Sequence, residues 1–236
     1  MPPLCKLGEQ FPRELLRTEF ERFAESGIYA NRPVRATNRF NVGGTGFFHA
    51  FYLWFVVRQL QPLHVIESGA FEGLGTWIIR QAAPSAQIFV LTPAMPKLYV
   101  DRRASTRYFT GRHFLDFSKV DWECVGLNKA RTLVFFDDHQ SGYRRTLEAF
   151  ARGFSHLMFD DNYPWIGGGD GGNYPYLPRA AGGDNFSPKA ACAALEISAR
   201  HRSSPAGKTD IHWIGAEEAV SMDIGFAGWR ANRKKL

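Results

Sequence analysis

The chain has 236 residues, 44% of them hydrophobic, and a formal charge of +6 from 29 Lys and Arg against 23 Asp and Glu. That length suits one α/β domain with a substantial core and would cramp two independent domains. Its longest apolar stretch, residues 47–57 (FFHAFYLWFVV), is interrupted by His49 and ends before Arg58, well short of the roughly 20 residues that span a bilayer.

Part of the positive charge sits in the terminal run Arg230, Arg233, Lys234 and Lys235, which reads as a solvated tail. No recognised binding motif accompanies the charge, so nucleic acid is not the expected partner, while a small anionic ligand is compatible with it. The opening MPPLCKLGEQFPREL has no apolar core followed by a small-residue cleavage site, and a cytoplasmic location is expected. Cys5, Cys124 and Cys192 are far apart and without CxxC spacing, which points to neither a disulfide framework nor a thiolate zinc site.

In chain order, residues 11–26 place Leu15, Leu16, Phe20, Phe23 and Ala24 at helical spacing, with Pro12 in the first turn and Gly27 at the stop. The polar, basic, Gly-rich NRPVRATNRFNVGGTG reads as a loop, and residues 47–61 as a buried helix ended by Pro62. Short apolar runs at 63–66, 88–91, 133–136 and 157–159 then read as buried strands, with 107–110 as a weaker one and helices at 76–83 and 143–152 between them. Residues 162–184 combine Gly, Pro and aromatic residues without periodicity and read as a long loop. Ser187-Pro188 opens a helix to about residue 200, and 211–214 with 220–226 are expected as an antiparallel pair closing the sheet. The expected fold is therefore a single Rossmann-like α/β domain over 1–236, its mostly parallel sheet flanked by helices on both faces. Residues 1–61 form a helical and loop extension, and 62–236 the core, with the Gly- and aromatic-rich loop at 162–186. There is no internal repeat.

The segment HVIESGAFEGLGTW puts Glu67 at a strand end, then Gly69, Gly73 and Gly75, then a helix start. Glycines are needed there because the backbone passes close to a ligand and takes angles that a Cβ forbids. The spacing is GxxxGxG, not the GxGxxG of the dinucleotide fingerprint. A tight strand-to-helix turn without a ligand is the plain alternative.

These residues resemble the first motif of class I S-adenosylmethionine-dependent methyltransferases. In particular they resemble the catechol-type O-methyltransferases and the cephalosporin-hydroxylase-like and macrocin-type sugar O-methyltransferases, in which ExGxxxG follows the first strand. The resemblance implies that S-adenosylmethionine lies on Gly69, Ala70, Phe71 and Gly73, with Glu67 nearby. It further implies that Thr92, at the end of the second strand, stands where those families carry an acidic residue for the ribose. A hydroxyl hydrogen-bonds there without the added strength of charge. A short-chain dehydrogenase also uses a GxxxGxG turn, but its turn lies very near the N-terminus, and its Tyr-x-x-x-Lys pair occurs nowhere in this sequence.

Two acidic clusters follow apolar strands: LVFFDDHQ supplies Asp137, Asp138 and His139, and HLMFDDNYP supplies Asp160, Asp161 and Asn162. Both are expected at the carboxyl edge of the sheet, beside the glycine turn, where ligands of open parallel sheets bind. Carboxylate and amide oxygens suit a hard cation such as Mg²⁺, Mn²⁺ or Ca²⁺, and helix caps or solvated strand ends are the bland alternative. The resemblance lays metal ligands onto Asp138, Asp161 and Asn162. Asp137 stays open as a substitute for Asp138, because adjacent strand residues face opposite ways. Ser141 stands where the catechol enzymes carry a catalytic lysine, which leaves His139 as the candidate base.

The implied chemistry is transfer of a methyl group to an oxygen of a small hydroxylated acceptor, sugar or phenol, with a divalent metal lowering the hydroxyl pKa. Two other readings remain: a ligand-binding protein without catalysis, and another metal-dependent enzyme or dehydrogenase on a similar sheet.

Overall fold

The computed structural model describes residues 11–33, 45–140 and 142–160, together with the backbone of 210–213. Its elements are α1 (Arg13–Glu25), α2 (Phe47–Leu60), β1 (His64–Ser68), α3 (Leu74–Ala82), β2 (Gln87–Leu91) and β3 (Thr106–Phe109). There follow a one-turn helix α4 (Trp122–Val125), β4 (Thr132–Phe136), α5 (Gly142–Ala151), β5 (His156–Phe159) and β6 (Asp210–Trp213).

The strands form one sheet in the order β3-β2-β1-β4-β5-β6, and every neighbouring pair is parallel. Alternation sorts their side chains into two cores. Val65, Ile88, Val90, Leu133, Phe135 and Met158 pack with α1, α2 and α3. Ile66, Phe89, Leu91, Val134, Phe136, Leu157 and Phe159 pack with Phe117, Trp122, Ala149 and Phe154 on the opposite face. Burial on both faces is the reason these strands read as continuous apolar runs.

Helix α2 is apolar on almost every side, and residues 50–57 are all buried. Such a helix has to be covered all round. It packs against α3, while α1 covers it with Phe20 and Phe23, whose rings lie 5.1 Å from Phe51 and 5.3 Å from Trp54. Gln61, at φ +45, caps its C-terminus, and the chain enters β1 directly. The polypeptide thus runs down α2 and back up β1, which sets the first turn of α2 at the carboxyl edge of the sheet. On the other side of β1, Arg80 of α3 is fully buried. It pairs with Asp101 at 2.6 Å and donates to the carbonyls of Pro84 and Ala86 and to the Thr106 hydroxyl. A buried guanidinium is tolerated because each of these acceptors offsets its lost hydration, and the set ties the end of α3 to β3.

The strands and helices expected from the sequence are present with shifted ends: β1 runs to Ser68 and leaves Leu63 exposed, and α3 begins at Leu74. The weak strand at 107–110 is β3. Helix α4 escaped the sequence reading because its four residues carry no measurable period. Residues 210–213 pair with β5 in parallel, whereas their expected partner at 220–226, the helix after Ser187 and the loop at 162–186 lie outside the described residues.

Two glycines in the β1–α3 turn are there for neighbouring backbone. Gly69 has φ +89, and a Cβ on it would stand 2.1 Å from the carbonyl oxygen of Asp137. Gly73 has φ +95, and its Cβ would stand 2.1 Å from the carbonyl oxygen of Tyr99. Gly126, at φ +74, has open space around its missing Cβ. Gly126→Ala should therefore cost only the left-handed conformation, about 1 kcal/mol. Gly69→Ala should cost at least about twice that and lower the thermal midpoint correspondingly further, because β4 must move as well. Equal midpoint losses for the two variants would contradict this account of the turn.

Candidate functional site

The carboxyl edge is assembled by ladder bonds that continue one residue past the strands. Gly69 N–H donates to Leu91 O at 2.8 Å, Thr92 N–H to Phe109 O at 3.1 Å, Asp137 N–H to Ser68 O at 2.8 Å and Asp160 N–H to Phe136 O at 2.9 Å. These four residues therefore follow one another along the edge. β1 lies between β2 and β4, at the point where the strand order reverses. Connections diverge from such a point and leave a crevice at the carboxyl ends of the strands.

The β1–α3 turn stands at that switch point. Gly73 N–H closes it onto Ala70 O at 2.6 Å, and the amides of Leu98 and Tyr99 donate to Glu72 O. Phe71, at φ +41, is 58% exposed. The left-handed backbone of a bulky residue is strained, a condition that concentrates at ligand sites. Across the switch point, His139 is also held at positive φ, +55. Gly73 is the N-cap of α3 and supplies no side-chain cap, so the helix start relies on other acceptors. Phe71, Met95, Phe114 and Leu115 account for all but Leu63 of the exposed large hydrophobic residues among the described residues, and all four sit on loops leaving the carboxyl ends of β1, β2 and β3.

Glu67 lies beneath this turn. Its carboxyl is fully buried, one oxygen accepts from the Thr76 hydroxyl, and the other sits under Gly75, where a Cβ would come within 2.3 Å. Burial pushes the carboxyl up to about 8, against the pull of Thr76, so at neutral pH it is held largely as the acid. Its place is under the backbone of the turn. The Thr92 side chain is buried as well, and its hydroxyl donates to Ala94 O at 3.1 Å.

The two acidic clusters are divided between the faces of the sheet. Asp138 accepts from Ser68 Oγ at 2.7 Å, from Arg145 Nε at 2.8 Å and from the Gln140 amide at 3.1 Å. Arg145, buried on α5, also pairs with Asp116 and Glu148. Burial pushes the Asp138 carboxyl up, against Arg145 and Ser68, while Arg145 holds Asp116 well below the usual carboxylate range. A small polar cavity of about 170 Å³ lies on this side, lined by Asp116, Ser118, Lys119, Gln140, Arg144 and Arg145. It is apart from the glycine turn.

Asp160 belongs to the other face. It is buried and paired with Nδ1 of His49, in the first turn of α2. The structure thus brings Gly69, Thr92, Asp137 and Asp160 into one row and draws Asp138 to α5. Asp161, Asn162 and Ser141 lie outside the described residues. Among the described residues no group of three or more His, Cys, Asp or Glu is arranged to hold a metal ion, and no helix is long and apolar enough to cross a membrane. Cys124 is exposed and its thiol donates to Asp121.

Sequence reasoning passed over His49 and Arg145. A signal for His49 was present: it interrupts an apolar run in the helix directly before β1, and such a helix must begin at the carboxyl edge. Arg145 carried only its spacing to Glu148, which is common on solvated helix faces.

No family model matches the chain, and no curated protein matches it. Among solved structures it is similar to an O-methyltransferase from Bacillus cereus in complex with SAH, at 15% identity and a TM-score of 0.36 over 58% of this chain and 61% of that one. It is also similar to an SAH-bound methyltransferase from Podospora anserina, at 15% identity and a TM-score of 0.39 over 79% of this chain and 88% of that one. The match thus spans about three fifths of the Bacillus cereus chain.

The buried acid makes a direct prediction. Glu67 binds its proton up to about pH 8 in the native state, whereas its ordinary value is 4.5. The stabilisation by that proton is complete below the lower value and is lost as pH rises through the higher one. Across the window the wild type should lose about 1.4 kcal/mol per pH unit relative to Glu67→Gln, whose amide has no proton to release. Unfolding measured at pH 5 and pH 8 should show the variant gaining on the wild type at the higher pH. Parallel stability curves would contradict a neutral, buried Glu67.

Proposed function

We propose that the protein transfers a methyl group from S-adenosylmethionine to a hydroxyl oxygen of a small acceptor, a sugar or a phenol. The observation that carries this reading is the glycine turn at the switch point of a 3-2-1-4-5-6 parallel sheet, where it opens onto the start of α3. Backbone at Gly69, Ala70, Phe71 and Gly73 is available to the amino-acid part of the cofactor, and the positive end of α3 suits its carboxylate. The exposed apolar side chains of Phe71, Met95 and Phe114 suit its planar base. Glu67 supports the turn from below as a neutral acid, and Thr92 stands at the ribose end. When bound, the cofactor supplies an electrophilic methyl on a sulfonium, and the protein's task is to hold the acceptor oxygen in line with it and to take its proton.

A divalent metal held by Asp138, Asp161 and Asn162 is the finer part of the sequence reading. Asp138 does not fit it well, since Arg145 and Ser68 already hold that carboxylate on the α5 side, and no step is derived through a metal. His139 stays a candidate proton acceptor by its place in the loop after β4.

S-adenosylhomocysteine at about a hundred times its Kd should stabilise the native state by about 2.7 kcal/mol, a rise in thermal midpoint of about 5 °C or more for a domain of this size. NAD should produce none. No shift at millimolar S-adenosylhomocysteine would contradict the methyltransferase reading, and a shift with NAD would favour a dehydrogenase in its place.

A further inference from the structure

We propose that the polar cavity beside α5 is an oxyanion site, which takes a phosphate or carboxylate group. This goes beyond the methyltransferase reading, and its first test does not depend on that reading. The cavity measures about 170 Å³ and is lined by Asp116, Ser118, Lys119, Gln140, Arg144 and Arg145. Three of these six residues are cationic and one is anionic. A space of that size with polar walls admits a group of several heavy atoms together with water.

The one negative charge in the lining is already committed. Asp116 Oδ1 accepts from Arg145 Nη1 at 3.0 Å and from the Ser118 amide and hydroxyl at 2.9 and 2.6 Å, and Oδ2 accepts from Arg145 Nη2 at 2.5 Å. Arg145, itself buried, also donates to Asp138 and Glu148, neither of which lines the cavity. A guanidinium and a carboxylate bonded in this way fix the shape of the site and leave recognition of a ligand to their neighbours.

Those neighbours are cationic. Lys119 is exposed and has no hydrogen-bond or ion-pair partner among the described residues. Arg152 donates to the carbonyls of Glu148 and Ser118, at 2.9 and 2.6 Å, and has no carboxylate partner among the described residues. Arg144 pairs with Glu148. Four cations, Lys119, Arg144, Arg145 and Arg152, thus stand against three carboxylates, Asp116, Asp138 and Glu148. An ammonium at the wall of such a cavity attracts an oxyanion, and the charge-assisted bond it makes is about twice as strong as a neutral one. A cation would find both oxygens of Asp116 occupied.

The cavity is also tied to the carboxyl edge. Ser68, the last residue of β1, donates to Asp138 at 2.7 Å, and Asp138 accepts from Arg145 at 2.8 Å. Two side chains therefore link the residue before Gly69 to the cavity wall. The anion is either a substituent of the acceptor or a free ion such as inorganic phosphate.

The test titrates the full chain with inorganic phosphate by calorimetry, at an ionic strength held constant with chloride. Wild type should bind one phosphate saturably, with a Kd of about 1 mM or below. Lys119→Gln should weaken binding about tenfold, the loss expected of one charge-assisted hydrogen bond, and Lys119→Arg should restore most of it. Arg17→Gln removes the same charge from α1, which packs on the opposite face of the sheet, and should leave Kd within about twofold of wild type. Lys119 and Arg17 are both exposed, so thermal midpoints without phosphate should match and confirm an intact fold. Catechol and 3,4-dihydroxybenzoate separate the two sources of the anion. If it belongs to the acceptor, transfer from S-adenosylmethionine to the carboxylated phenol should exceed transfer to catechol by about tenfold in kcat/KM, with phosphate competing. Equal turnover of the two phenols assigns the cavity to a free anion. No saturable phosphate binding, or binding that Lys119→Gln and Arg17→Gln weaken alike, would overturn the proposal. Absence of any response to S-adenosylhomocysteine would contradict the methyltransferase reading and leave the phosphate titration to decide the cavity alone.

Discussion

The architecture of the edge depends on the passage of Gly69 across the main chain of Asp137. A Cβ at that point would stand 2.1 Å from the Asp137 carbonyl oxygen, so β1 and β4 can reach the switch point side by side only if the first residue after β1 has no side chain. From that contact follow the left-handed conformation of Gly69, the tight return through Gly73 and the start of α3 directly above the sheet.

Three carboxyl groups are taken into the protein around this contact, and each is accommodated differently. Glu67 has no cation beside it among the described residues and keeps its proton up to about pH 8. Asp138 is matched by Arg145, whose guanidinium also binds Asp116 and Glu148. Asp160 is matched by an imidazole. A buried carboxylate costs several kcal/mol unless it is paired or neutralised, and the three solutions differ in what they hold in place. A protonated acid under a turn and a carboxylate locked to arginine hold shape. A carboxylate on histidine ties the first turn of α2 to the end of β5.

Much of this was legible in the sequence. The apolar runs from residue 63 to 159 announced a parallel sheet because strands buried on both faces have no polar side to show, and GxxxGxG marked the turn because only glycine fits against the Asp137 and Tyr99 carbonyls. The choice between Asp137 and Asp138 was not legible. Strand alternation offers both, and the outcome turned on Arg145, seven residues further on, whose partner Asp116 comes from a loop with no periodic signal. The meaning of His49 was likewise hidden by its neighbours: in FFHAFYLWFVV it reads as a flaw in an apolar helix, and only the contact of that helix with the end of β5 gives it a carboxylate. Long-range pairings of this kind are fixed by topology, and a local pattern does not carry them.

The central claim is that the turn at Gly69–Gly73 is a cofactor cradle as well as a tight connection. The most direct measurement is a crystal structure of the protein grown with S-adenosylhomocysteine. The account predicts the amino-acid end of the ligand within hydrogen-bonding distance of backbone at residues 69–73, and its sulfur facing the edge between Asp137 and His49. Ligand density elsewhere, or a turn left empty at saturating ligand, would contradict it and leave these glycines with a purely structural role.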